Sequence, residues 1–166
     1  YTFPKGEKGH VLFDLQVPEE DKSTILEAGI KKVNNTEIEG FVKRISGWNE
    51  YTLHFVARFN RPFTSMGGWQ GEQILNDTTE LKVNDNLDIG AFLYFDTEKD
   101  PEVLMETAIS YVSTEQARSN LETELFPFNW DFDKACLNAR NVWNDILNRI
   151  KVEGGTETDK IKFYTN

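Results

Sequence analysis

Hydrolytic chemistry needs two carboxylates, or a nucleophile beside a base, held at a fixed separation by the fold. This chain carries 28 Asp and Glu residues, so pairs are easy to draw and none is privileged by spacing. Glu19-Glu20-Asp21 reads as a solvated turn. Asp131-Phe132-Asp133 reads as helix capping, because an Asp before an apolar-periodic run accepts hydrogen bonds from the free N–H groups of a first helical turn. His10 and His54 are the only histidines; neither has H-E-x-x-H spacing or a third ligand, so neither is assigned a metal. Cys136 stands alone, which excludes an internal disulfide and a cysteine-rich zinc site. Ser65 and Ser113 lack the flanks of a nucleophile elbow, and Gly6, Gly9, Gly67, Gly68 and Gly71 lead into no phosphate-cradling helix. The sequence therefore assigns no catalytic and no metal position.

One segment is suited to displaying a side chain to a ligand. Ser65-Met66-Gly67-Gly68-Trp69-Gln70-Gly71-Glu72 reads as a flexible glycine loop. Trp69 offers a flat face for sugar C–H groups, and Gln70 and Glu72 offer partners for hydroxyls, so Trp69 is the carbohydrate-contact candidate; the competing reading is a hairpin plug or interface residue. Trp48 reads as a strand-end core residue, Trp143 as core by periodicity, and Trp130 as packing at a helix entry. Asn34-Asn35-Thr36 and Asn76-Asp77-Thr78 match the glycosylation tripeptide, a pattern that arises often by chance.

The elements that must position these residues change character near Ser113. Up to about residue 112 the chain reads as short strands and turns. Val11, Phe13 and Leu15 alternate with Leu12, Asp14 and Gln16 before Pro18. Tyr51, Leu53, Phe55, Ala57 and Phe59 define the clearest strand, whose other face carries Thr52, His54 and Arg58 and reads as wet. The segment 36–45 is a weaker strand with Gly40 at a bulge or close backbone approach. The segment 89–95 is continuously apolar and reads as a central strand covered on both sides, and 103–112 as the last strand. Strands separated by turns with no interleaved helices indicate an antiparallel sandwich.

From Ser113 the period becomes helical. Ser113 is the N-cap and Gln116 completes a capping box; Ala117, Leu121 and Leu125 share a face until Pro127. Asp131 or Asp133 opens a second helix with the stripe Ala135, Ala139, Val142, Trp143, Ile146 and Ile150, closed by Gly154-Gly155. Thr156 or Thr158 opens a third. The fold class is thus mainly β with C-terminal helices. The third helical pattern stops at Asn166 and the chain opens on Tyr1 without Met, so a piece of a longer protein is expected. The wide Trp143 stripe is expected to face material outside this chain and to drive self-association of the piece through its helices.

The formal charge of −10 argues against a phosphate-backbone partner, which needs clustered Lys and Arg, and no apolar run reaches membrane length. The expectation is no nucleic acid and no membrane.

Several runs resemble glycoside hydrolase family 92, the bacterial α-mannosidases. They are Thr2-Phe3-Pro4 with Asp14-Leu15, Ile38-Glu39-Gly40 before Gly47-Trp48, and the run from His54 through Arg61-Pro62-Phe63. The most specific is Ile109-Ser110-Tyr111-Val112-Ser113 with Glu115-Gln116-Ala117 and Asn120-Leu121, continuing through Phe132, Ala139, Trp143, Leu147, Val152-Glu153-Gly154 and Phe163-Tyr164. The resemblance implies a mutarotase-like supersandwich over 1–112 (in part), a helical linker over 113–155, and the start of a truncated helical barrel over 156–166. It implies a parent enzyme that hydrolyses α-mannosides of glycans with inversion, with calcium in its barrel and a periplasmic or secreted location. No cofactor is expected in this piece. The family's acid, base and calcium ligands fall beyond Asn166, so this piece is expected to be scaffold and cleft wall, inactive alone. Two other readings are a stand-alone carbohydrate-binding β-sandwich module using Trp69 and an interaction module recruiting a partner through its helix stripe.

Overall fold

The computed structural model describes residues 1–4, 6–16 and 23–165; the expected acidic turn at Glu19-Glu20-Asp21 lies outside them. Its contacts divide the chain into two units that meet at Pro127 and Phe128.

The first unit is an antiparallel sandwich. One sheet joins β1 (Gly9–Asp14), β8 (Ile89–Phe95), β5 (Ser65–Gln70) and β6 (Gln73–Leu75) in that order. The other runs β7 (Glu80–Val83), β2 (Thr24–Asn34), β3 (Glu37–Ser46), β4 (Asn49–Phe59) and β9 (Met105–Ser110). Alternate residues of each strand face the shared core, where Phe59 and Phe95 meet at 5.1 Å, with Phe63 edge-on to both and Phe13 stacked on Phe55. The sandwich and the alternation of β4 agree with the sequence reading. So does the close approach at Gly40, where a side chain would collide with the Gly29 carbonyl and the Phe55 ring.

Several expectations are corrected. The long strand β2 is hidden in the sequence because register shifts at Leu26 and Val33 break its alternation: Ile25, Ala28 and Ile30 are all buried, at odd spacing. The outer face of β4 is not wet, for a helix covers it. Conversely, the apolar strand β8 is central in its sheet but covered on one face only, leaving Tyr94 exposed. Trp48 is fully exposed and not core: Gly47, at φ +60°, and Trp48 form the tight turn between Ser46 and Asn49.

The covering helix is α1 (Thr114–Glu124), with Ala117 and Leu121 buried against Val56 and Ala108. Ser113 accepts the Gln116 N–H at 3.1 Å as an N-cap should, but the Gln116 side chain donates to Asn120 Oδ1 at 2.9 Å instead of closing the box.

In the second unit, Asp131 caps α2 (Phe132–Leu147) by accepting the Lys134 N–H at 3.0 Å. The hydrogen bond from Lys134 holds its carboxyl below the usual range. The helix ends at Leu147, well before Gly154-Gly155, so Ile150 lies beyond it. Trp143 is 63% exposed, and no residue of α2 is buried. The periodicity that marked it as core reports an apolar face that its own unit leaves exposed. Thr156 and Asp159 open α3 (Glu157–Thr165) with a reciprocal pair of bonds: the Asp159 carboxylate accepts the Thr156 N–H at 2.9 Å, and the Thr156 hydroxyl accepts the Asp159 N–H at 3.2 Å.

Because Leu121 is the largest apolar side chain fixing α1 to the sandwich, Leu121→Ala should cost about 2–5 kcal/mol in urea unfolding. A loss below about 1 kcal/mol would show that the helix is not held by this contact.

Candidate functional site

Trp69 does not sit in a flexible loop. Ser65–Gln70 is a strand, and only Gly71, at φ +56°, and Glu72 form the turn into β6. Register places Trp69 opposite Gly90 of β8 and Ile74 of β6, on the outer face of the four-stranded sheet. Its ring lies over Gly90, where any Cβ would collide with it. Phe92 lies on Gly67 in the same way, so each strand supplies a glycine for the other's aromatic ring. Tyr94 meets Phe92 edge-on at 5.5 Å, and His10 lies 6.1 Å from Tyr94. With the exposed Leu12 and Ile74, these residues form an aromatic floor on an open sheet face. Trp69 is half-buried there. Gln70 is turned away from it, its side-chain amide donating to the Lys82 carbonyl at 2.6 Å.

The second concentration of functional groups lies under α1. Glu37, only 6% exposed, accepts from Arg58 Nε at 3.0 Å and from Arg118 Nη2 at 2.9 Å. Glu39 pairs with Arg118 at 2.6 Å and with Lys31 at 2.8 Å. The hydrogen bond that Lys31 donates to Glu39 raises its ammonium above the ordinary range. His54 Nδ1 is 3.2 Å from the Thr114 hydroxyl, at the start of the helix. Burial pushes the Glu106 carboxyl up, partly offset by the charge of Arg58. Each carboxylate of the Glu37–Glu39 pair is engaged by two cations, so the cluster clasps α1 to β3 and β4 and leaves no free acid beside a free base. Sequence reasoning missed it because its members are scattered from Lys31 to Arg118. The alternation of Glu37 and Glu39 with Ile38 was the available signal. Among the described residues no group of three His, Cys, Asp or Glu side chains is placed to hold a metal ion. None of their helices is long and apolar enough to cross a membrane.

The N-terminal domain model of glycosyl hydrolase family 92 matches residues 1–110, and the catalytic domain model of the same family matches residues 116–166. The chain belongs to glycosyl hydrolase family 92. Among solved structures it is similar to an inverting GH92 mannosidase of Bacteroides thetaiotaomicron, at 24% identity and a TM-score of 0.73 over 93% of this chain and 20% of that one. It is also similar to a GH92 α-mannosidase of the same bacterium, at 21% identity and a TM-score of 0.80 over 99% of this chain and 22% of that one. A third GH92 glycosyl hydrolase matches at 29% identity and a TM-score of 0.77, over 96% and 20% respectively. The chain therefore spans about a fifth of the length of these proteins. The comparison with curated proteins finds no match.

Removing the carboxylate of a buried ion pair leaves its cations uncompensated and is costly, whereas a half-exposed pair contributes little. Glu37→Gln should thus destabilise the chain by about 3 kcal/mol in urea unfolding, while Lys31→Met, on the exposed side of the cluster, should stay within about 1 kcal/mol. Equal effects would remove the clasp as the reason for the cluster.

Proposed function

We propose that this chain is part of an α-mannosidase that hydrolyses α-mannosides of glycans with inversion, and that it serves as scaffold and one wall of the active-site cleft. The observation that supports this most directly is the succession of the two family matches, from the N-terminal domain over residues 1–110 to the catalytic domain over residues 116–166. On this reading 1–112 contributes part of the sandwich, 113–155 the helical linker and 156–166 the first piece of the barrel. Calcium belongs to the barrel of the whole enzyme, which is periplasmic or secreted. Inverting hydrolysis needs an acid and a base roughly 6.5–9.5 Å apart with a water between them. The Glu37 and Glu39 carboxylates are occupied by arginines, and the reading assigns no catalytic residue to these 166 positions. The purified chain should release no aryl alcohol from an aryl α-mannoside with calcium present; turnover above the buffer blank would refute the scaffold role.

The aromatic floor supports a second reading, a carbohydrate-binding surface in which Trp69 is the contact. Mannose oligosaccharides should then change tryptophan fluorescence in a saturable way, and Trp69→Ala should abolish the change. An unaltered response in that variant would remove Trp69 from the surface.

The exposed apolar face of α2, with Val142, Trp143 and Ile146, supports self-association of the chain. Light scattering should report a mass above the monomer that falls on Trp143→Glu. A wild-type monomer at all concentrations would contradict it.

A further inference from the structure

We propose that the open end of the sandwich is a binding site for a small organic carboxylate, with Arg44 as its anion receptor. Along β3 the residues Ile38, Gly40, Val42 and Arg44 alternate onto the core face, and all four are buried. The first three are what a core demands, and the fourth is a guanidinium that is 4% exposed. Its five N–H donors are poorly used. Nη1 donates to Ser23 Oγ at 3.2 Å, and Nε is buried without a partner among the described residues. Arg44 is also absent from the ion pairs found among those residues. Asp14 borders the same space, but its carboxylate accepts the Gln16 N–H at 2.8 Å. A buried cation with an unmet donor and no ion pair among the described residues is unfavourable, and the chemistry that relieves it is a carboxylate, whose two oxygens match the guanidinium fork.

The space beside Arg44 admits such a group. A cleft of about 370 Å³ opens between β1 and the ends of β3, β4 and β9, a volume at the lower end of small-ligand sites. Phe13, Leu53 and Phe55 give it apolar walls, and Tyr51 and Tyr111 stand edge to face at 6.1 Å across its rim. Tyr51 is the direct cross-strand neighbour of Arg44, so a phenol ring and the guanidinium share one wall. Apolar walls around one cation suit an organic acid with a compact ring or aliphatic body, and fit a bare inorganic anion poorly. This inference does not rest on the mannosidase reading.

The test is calorimetric titration of the chain with benzoate, beside benzamide as its neutral isostere and sulfate as a bare anion, with NMR of the Tyr and Phe ring signals. Benzoate should bind one to one and shift the Tyr51, Tyr111 and Phe13 ring resonances. Benzamide and sulfate should each bind at least about tenfold more weakly, the scale of one charge-assisted pair. Arg44→Met should lose benzoate to the same degree. Arg44→Lys, which keeps the charge without the fork, should fall between. The comparison of the three probes on the unmutated chain stands even if an Arg44 variant fails to fold. The proposal is overturned by absence of saturable benzoate binding, by equal affinity for benzoate and benzamide or for benzoate and sulfate, or by unchanged binding in Arg44→Met. It is also overturned if benzoate binds only after Glu19, Glu20 and Asp21 are replaced by amides, because the chain's own carboxylates would then be the occupant.

Discussion

Arg118 reaches down from α1 to touch Glu37 and Glu39 on one strand, and the covered side of the five-stranded sheet depends on that contact. The strand face beneath carries Val56 and Ala108, too little apolar surface to bury a helix without help. The arginine adds direction to a small hydrophobic patch: Ala117 and Leu121 lie on the patch only if the helix runs so that Arg118 meets the acidic pair. Arg58 holds Glu37 from the other side and reaches toward Glu122 of α1 at 3.7 Å, so both arginines bridge the sheet and the helix. Such an arrangement specifies orientation more than it adds stability, since the ions give up hydration to form it.

Where neighbours in sequence decide the structure, the residues were readable. The β4 alternation, the Ser113, Asp131 and Thr156 caps and the crowding at Gly40 all follow from local rules, and the structure repeats them. Where a distant element decides, they were not. His54 and Arg58 look like solvent-facing residues until a helix more than fifty residues away settles over them. Trp48 looks like core because it is large and apolar, yet the glycine before it makes a turn that throws it outward. In β2 two extra residues cancel the period-two signal that would have revealed it. The helix boundary missed at Leu147 has a similar origin: Gly154-Gly155 marks a break, and the chain leaves the helix nearly two turns earlier through Asn148.

The candidate sites divide along the same line. Trp69 was found by residue type alone, and its setting was not, because the flatness of the floor comes from two glycines on different strands, each lying beneath the other strand's ring. The family was legible because short runs such as Ile109-Ser110-Tyr111-Val112-Ser113 combine a strand end with a helix start, a junction that local chemistry constrains closely. Arg44 was passed over because alternation was scored by apolar residues, and a charged residue in an apolar register looks like the end of a strand.

The sheet order carries one more consequence. Strands β1 and β9 each end their sheets, and both border the same cleft. Among the described residues β1 pairs only with β8 and β9 only with β4. Each of these outermost ribbons of peptide groups thus has a free edge of main-chain donors and acceptors. Only another extended polypeptide has the repeat to satisfy such a row. The flank is therefore an edge along which both layers can be lengthened, beside the Phe13 and Phe55 rings that line the cleft.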